Sequence, residues 1–94
     1  ARRYGELKLK LATGEIIGDI IVHPWFVLYG AIVLKDGTKL RSINYEADFK
    51  YWNGKIKKWV IEDVKGFATD VYRIKRNLFL RTIPEDTVFV EMKK

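Results

Sequence analysis

Two carboxylates and a lysine are the residues of this chain whose types and spacing could do chemistry. Asp48 lies in one extended stretch and Asp63-Val64-Lys65 in the next. The period of two along a strand puts Asp63 and Lys65 on one face, about 6 to 7 Å apart. Two carboxylates can hold a hard divalent cation such as Mg²⁺ while leaving several of its waters in place. Such a cation lowers the pKa of a bound water and stabilises charge developing on a phosphate. A neighbouring lysine can orient that water or offset the charge. The three side chains are a minimal kit for metal-assisted phosphodiester hydrolysis. The bland reading of the same residues is a solvated strand face with a cross-strand ion pair, because D-x-K arises by chance in charged strands.

Composition removes several competing chemistries. The 94 residues contain no cysteine, which excludes a disulfide framework, a thiolate zinc site and a cysteine nucleophile. The single histidine, His23, rules out a multi-histidine metal site, and no serine sits in a nucleophile-elbow setting. A formal charge of +6 points to a polyanionic partner, most often nucleic acid. The length fits one domain over residues 1–94, and an apolar content of 48% suffices for a packed interior. The longest mainly apolar stretch, Ile20 to Leu34, is interrupted by His23, Pro24 and Gly30 and is too short to span a bilayer. No apolar leader follows Ala1-Arg2-Arg3-Tyr4. The expectation is a soluble, cytoplasmic protein with no membrane partner.

The elements that must position the three side chains read mostly as strands. Arg2 to Ala12 is a near tie. Leu7, Leu9 and Leu11 alternate as in a strand, while Tyr4, Leu7 and Leu11 follow helical spacing. From Trp25 to Lys35 the chain is rich in Val, Ile, Phe and Tyr, and Asp36-Gly37 signals a hairpin. Thr38 to Trp52 resumes the extended pattern with Tyr45, Ala47, Phe49 and Tyr51 on one face. Lys58 to Lys65 is a third strand, with Val60, Glu62 and Val64 on one face and Trp59, Ile61, Asp63 and Lys65 on the other. After Gly66, Thr69 or Asp70 can cap a helix reaching about Leu80, with Val71, Ile74, Leu78 and Phe79 as its apolar stripe. Thr87 to Met92 is a final strand. The order predicts an α/β (α+β) domain whose mixed β-sheet has a parallel crossover from the Lys58 strand to the Thr87 strand.

One geometric condition decides whether the carboxylates can share a metal. A two-residue turn at Asn53-Gly54 would set Asp63 opposite Asn44 and Asp48 opposite Trp59, leaving the aspartates about 13 Å apart. A longer loop, about Asn53 to Lys58, sets Asp48 opposite Asp63 and Trp52 opposite Trp59. The longer loop is the expected one. The three tryptophans read as core or interface residues.

The run Asn44-Tyr45-Glu46-Ala47-Asp48-Phe49-Lys50-Tyr51 resembles the "Y-x-A-D-F-x-Y" core of a phage and prophage family related to Holliday-junction resolvases, within the PD-(D/E)XK nuclease superfamily. The resemblance continues through Glu62-Asp63-Val64-Lys65-Gly66-Phe67. It extends to Thr69-Asp70-Val71-Tyr72-Arg73-Ile74-Lys75-Arg76, which is similar to the start of the family's "T-x-x-[FY]-x-[LI]-K-R-K-L-F" helix. Upstream, Ala1-Arg2-Arg3-Tyr4 resembles the family's first helix. His23-Pro24-Trp25-Phe26 is similar to its "Q-P-x-F" strand entry, with His in place of Gln.

The resemblance implies a helix for the first segment and a PD-(D/E)XK restriction-endonuclease-like core, a mixed sheet flanked by helices. It makes Asp48, Asp63 and Lys65 the catalytic counterparts, with Asp48, Asp63 and the Val64 carbonyl as ligands for Mg²⁺ or Mn²⁺. Glu62 is then a neighbour on the other face. Arg2, Arg3, Thr69, Tyr72, Arg73, Lys75 and Arg76 become expected phosphate contacts, which confer salt-sensitive affinity and no base specificity. The implied activity is cleavage of four-way DNA junctions, in recombination or repair, by a homodimer in the cytoplasm of a phage host. The family carries a further acidic residue just before the Ala1-Arg2-Arg3-Tyr4 match. The sequence starts at Ala1, without Met, which reads as trimmed, and Glu6 is not at the matching position. Without a substitute, the expectation is a chain that folds and binds DNA yet cleaves poorly. Two other classes stay open: a non-catalytic nucleic-acid-binding domain, and a structural or assembly protein. Within the nucleases, a flap or fork repair endonuclease also stays open.

Overall fold

The fold is described from a computed structural model over residues 2–93. The chain runs α1 (Arg2–Ala12), β1 (Ile16–Val22), β2 (Trp25–Tyr29), β3 (Ile32–Val33), β4 (Lys39–Leu40), β5 (Ile43–Glu46), β6 (Phe49–Asn53), β7 (Lys58–Lys65), α2 (Asp70–Arg81) and β8 (Thr87–Lys93). A four-stranded mixed sheet has the order β1-β6-β7-β8, antiparallel except for the parallel β7–β8 pair. Two ribbons, β2–β5 and β3–β4, stand apart from it.

The helices cover opposite faces of the main sheet, and alternation along β7 and β8 builds both cores. On the α1 side, Leu7, Ile16, Tyr51 and Val60 pack with Ile20, Phe49, Val88 and Val90. On the α2 side, Ile61, Tyr72, Phe79, Tyr45 and Ala47 pack with Phe26, Leu28, Ala68, Ile83 and Phe89. The fold is thus a mixed sheet flanked by two helices, as the pattern of elements predicts.

Four expectations need correction. β1 was not expected as a strand, because Gly18 and Asp19 break its run of β-branched residues; Gly18 is left-handed (φ +86°) where the pairing with β6 shifts register. The single strands expected over Trp25–Lys35 and Thr38–Trp52 are broken into five, so the count is eight strands and not four. The common face expected for Tyr45, Ala47, Phe49 and Tyr51 does not exist. The chain leaves the β-bridge at Ala47-Asp48, so Tyr45 and Ala47 face α2 while Phe49 and Tyr51 face α1. In α2, Tyr72 and Phe79 are the buried residues, whereas Val71 and Ile74 of the expected stripe are exposed. The helix turns its aromatic positions inward because they close the cluster around Tyr45.

The β6–β7 link is the longer loop. Trp52 pairs with Trp59 and Phe49 with Glu62. Asn53 builds the turn: its Oδ1 accepts from the N–H of Lys55 (2.9 Å) and Ile56 (3.3 Å), and its carbonyl accepts from Lys57 (2.9 Å). Thr69 caps α2, its hydroxyl accepting the Tyr72 N–H at 3.1 Å.

Candidate active site

Asp48 sits in the break between β5 and β6, where four hydrogen bonds fix it. The Ala47 N–H donates to the Pro24 carbonyl (2.9 Å) and the His23 N–H to the Asp48 carbonyl (2.9 Å). The Asp48 N–H donates to the Glu62 carbonyl at 3.0 Å. Its side chain reaches β7, where Oδ2 accepts the Val64 N–H at 2.6 Å. His23 holds its place with a left-handed backbone (φ 56°), a conformation unusual outside glycine. This lattice extends the β6–β7 register by one step, so Asp48 stands beside the Asp63-Val64 stretch.

Asp63 and Glu62 are successive residues of β7, so their side chains leave on opposite faces, and both are buried (0% and 1% exposed). Asp63 faces α2. Its Oδ2 accepts the hydroxyl of Tyr45, and its Oδ1 accepts no hydrogen bond of satisfactory geometry, with Lys65 Nζ standing 3.0 Å away. Burial pushes the Asp63 carboxyl above its usual range; the Tyr45 hydroxyl and Lys65 oppose that rise, and the Asp48 charge adds to it. The same burial raises the Tyr45 hydroxyl well above its ordinary value, and its bond to the Asp63 charge raises it further. Lys65 Nζ also lies 4.5 Å from the centre of the Tyr72 ring.

Glu62 faces α1 and is closed off. Arg3 Nε and Nη2 donate to its two oxygens, each at 2.8 Å, and the Tyr51 hydroxyl donates to Oε2. Arg3 is therefore engaged inside the protein, and its guanidinium is held well above its ordinary pKa, chiefly by that hydrogen bond.

The expected residues divide between two depressions. A cleft of about 770 Å³ on the α1 side is lined by Arg2, Arg3, Tyr4, Glu6, His23, Asp48, Phe49, Val64 and Lys93, among others. A smaller one of about 240 Å³ is lined by Lys65, Gly66, Phe67, Ala68, Glu91 and Lys93. Asp48 and Val64 open onto the first and Lys65 onto the second; Asp63 lines neither and is buried on the α2 side. Of the expected phosphate contacts, Arg2 is exposed on α1, and Arg73 and Lys75 lie on α2. Tyr72 is buried and donates its hydroxyl to Glu91 (2.7 Å), which Arg76 also contacts at 2.7 Å. Thr69 spends its hydroxyl on the helix cap.

Among the described residues, no three His, Cys, Asp or Glu side chains gather as a metal group. The donors that would suit a hard cation are two carboxylates, those of Asp48 and Asp63, of which Asp48 Oδ2 already accepts the Val64 N–H and Asp63 Oδ1 faces Lys65 Nζ at 3.0 Å. That number suffices for Mg²⁺ when phosphate and water supply the rest. Tyr45 and Tyr51 were missed as partners of the acids. Each reads in sequence as one more aromatic core residue, although a buried tyrosine hydroxyl needs a partner.

Comparison with curated proteins and with solved structures finds no match. The model of a family described as "Protein of unknown function (DUF1064)" matches residues 1–93, and the chain belongs to that family.

Proposed function

We propose that the protein is a divalent-metal-dependent DNA endonuclease selective for four-way junctions. One observation carries the reading: the register that brings Asp48 against Val64 and beside a buried Asp63 whose Oδ1 has only Lys65 at hand. The resemblance of the Tyr45–Tyr51 and Asp63–Lys65 runs to junction-resolving nucleases supplies the substrate class.

Asp48 and Asp63, with the Val64 carbonyl, are the residues that would hold Mg²⁺ or Mn²⁺. When bound, the ion supplies a more acidic water and offsets charge on the phosphate. The chain's own residues do the positioning. Tyr45 fixes one oxygen of Asp63 and so directs the other. Lys65 is the cation that would orient the attacking water and face the negative phosphate. A DNA arm laid across the edge that the two depressions share at Lys93 would meet Asp48 and Arg2 on one side and Lys65 on the other. Paired incisions on a two-fold junction call for a homodimer. No helix among the described residues is long and apolar enough to cross a membrane.

A second reading, a DNA-binding module without catalysis, draws on the absence of a third acid from the site among the described residues. Incubation with a labelled four-way junction in Mg²⁺, Mn²⁺ or EDTA, beside Asp63→Ala, separates the two. The endonuclease gives symmetric nicks with metal only. Asp63→Ala loses more activity than the about 10–100-fold that the loss of an outer-shell partner costs. Tight binding without nicks in either protein overturns the proposal in favour of the binding module. Competition among junction, flap, fork and duplex fixes the branched substrate.

A further inference from the structure

We propose that the ribbon arm formed by β2–β5 and β3–β4 is the interface with a second copy of this chain. The inference deepens the endonuclease reading by naming the surface that would pair two active sites, and its test needs no DNA.

The arm is the part of the molecule that its own body leaves uncovered. The inner face of β2 packs Phe26 and Leu28 on the α2-side core, while Trp25, Val27 and Tyr29 on its outer face are 63%, 56% and 59% exposed. Beyond them Ile32, Val33, Leu34, Leu40 and Ile43 are exposed as well. Ile32 pairs with Leu40 across the distal ribbon, so one of its faces is apolar, while Val33 stands opposite Lys39 on the other. The radius of gyration is 15.7 Å, against about 12 Å for a compact chain of this length, and the longest extent is 56 Å.

Magnitude singles this surface out. These eight residues expose on the order of 900 Å², above the roughly 300 to 600 Å² of the largest patch on a typical monomer. That amount matches the about 800 Å² each partner contributes to a standard interface. The other exposed apolar groups are smaller: Ile17, Ile21 and Val22 on the edge strand β1, and Phe67, Val71 and Ile74 beside α2, have three such residues each. A two-stranded ribbon is marginally stable in water without cover, and each ribbon here has two strands and no third.

A second copy is the occupant that fits. Open ribbon edges pair with an identical edge through backbone groups, which needs no different sequence. The arm also carries both signs of charge, Lys35, Lys39 and Arg41 with Asp36 and Glu46, so a two-fold arrangement can set one sign against the other.

The test needs no ligand: light scattering after size exclusion across a concentration series, on the wild type, on Val33→Glu/Leu40→Glu, and on Val71→Glu/Ile74→Glu as the control face. The wild type is expected at twice 11.1 kDa. The arm variant is expected to dimerise at least about 30-fold more weakly while keeping the far-UV circular-dichroism spectrum of the folded chain, and the control to dimerise normally. Because the chain has no cysteine, Val27→Cys and Val33→Cys report the same contact by oxidative crosslinking. A wild type that stays monomeric, or a dimer that survives the arm substitutions, overturns the inference. A dimer that loses its partner through the arm but never nicks DNA leaves this interface standing and removes the endonuclease reading instead.

Discussion

Glu62 and Asp63 are neighbours on one strand, equally buried, and each receives a tyrosine hydroxyl and faces a cation. They differ in where the cation comes from and how much it closes. Arg3 arrives from α1 and takes both oxygens of Glu62 in a fork, which ties that helix to the sheet. Lys65 comes from the same strand as Asp63, stands by one oxygen and reaches α2 only through the face of the Tyr72 ring. A buried acid whose oxygens are all paired across elements acts as a staple. A buried acid one of whose oxygens meets only a lysine of its own strand does not tie the sheet to a helix as that staple does.

The largest test of that contrast exchanges the cations for alanine. Arg3→Ala strands the Glu62 carboxylate inside the α1-side core, and removing one partner of a buried pair costs about 3–5 kcal/mol. That is a large share of the about 5–15 kcal/mol typical of a domain. The pair replacement Arg3→Met/Glu62→Leu is expected to recover most of the loss in urea denaturation, because the stranded charge goes with its partner. Lys65→Ala is expected to do the reverse, with little change in the urea midpoint and a loss of nicking. Equal destabilisation by the two single variants would show that both acids are staples.

How much of this was legible in the sequence follows from which signals are local. The β6–β7 register was readable, because only the longer loop brings Asp48 to Asp63, and Asn53 builds that loop through its own side chain. The first helix was a tie on spacing. It resolves through Leu9, which a strand with Leu7 would bury and which the helix leaves 69% exposed. The face of α2 was readable only in part: Phe79 of the expected stripe is buried, but Val71 and Ile74 are exposed and Tyr72 is buried in their stead. Only the tertiary cluster around Tyr45 selects the aromatics. The Arg3–Glu62 pair spans 59 positions of sequence. No periodicity links such residues, and the family resemblance suggested Arg3 for phosphate. The switch of face at Ala47-Asp48 was hidden by an unbroken alternation of residue types across it.

A smaller effect separates the two tyrosines. Tyr45→Phe removes the hydroxyl that holds one oxygen of Asp63 and lowers its pKa, so Asp63 rises further and is directed less well. The expected result is weaker Mn²⁺ binding, within the about 10–100-fold of an outer-shell loss, and an acid limb of nicking displaced to higher pH. Tyr51→Phe leaves Glu62 both of its Arg3 bonds. It is expected to cost about 1 kcal/mol of stability and leave the pH profile of nicking in place. Matching profiles for the two variants would sink the assignment of Tyr45 as a positioning residue.

The subtlest test asks the fold itself whether Asp63 is a burden, with metal removed by EDTA. In the unfolded chain the Asp63 carboxyl titrates near 3.8, and in the folded chain burial holds it higher. Between those two values the folded protein keeps a proton that the unfolded chain has released. Stability therefore falls as pH rises through that window and stays lower above it. Asp63→Asn carries no such charge, while its carboxamide oxygen can still accept the Tyr45 hydroxyl. The variant is expected to lose this component of the decline with rising pH, and at neutral pH to be at least as stable as the wild type. Added Mn²⁺ is expected to raise the wild-type midpoint and leave the variant's unmoved, because only the ionised carboxylate binds the cation. If Asp63→Asn is instead destabilised at neutral pH as Arg3→Ala is, the charge on Asp63 supports the fold, and the difference between the two faces of β7 disappears.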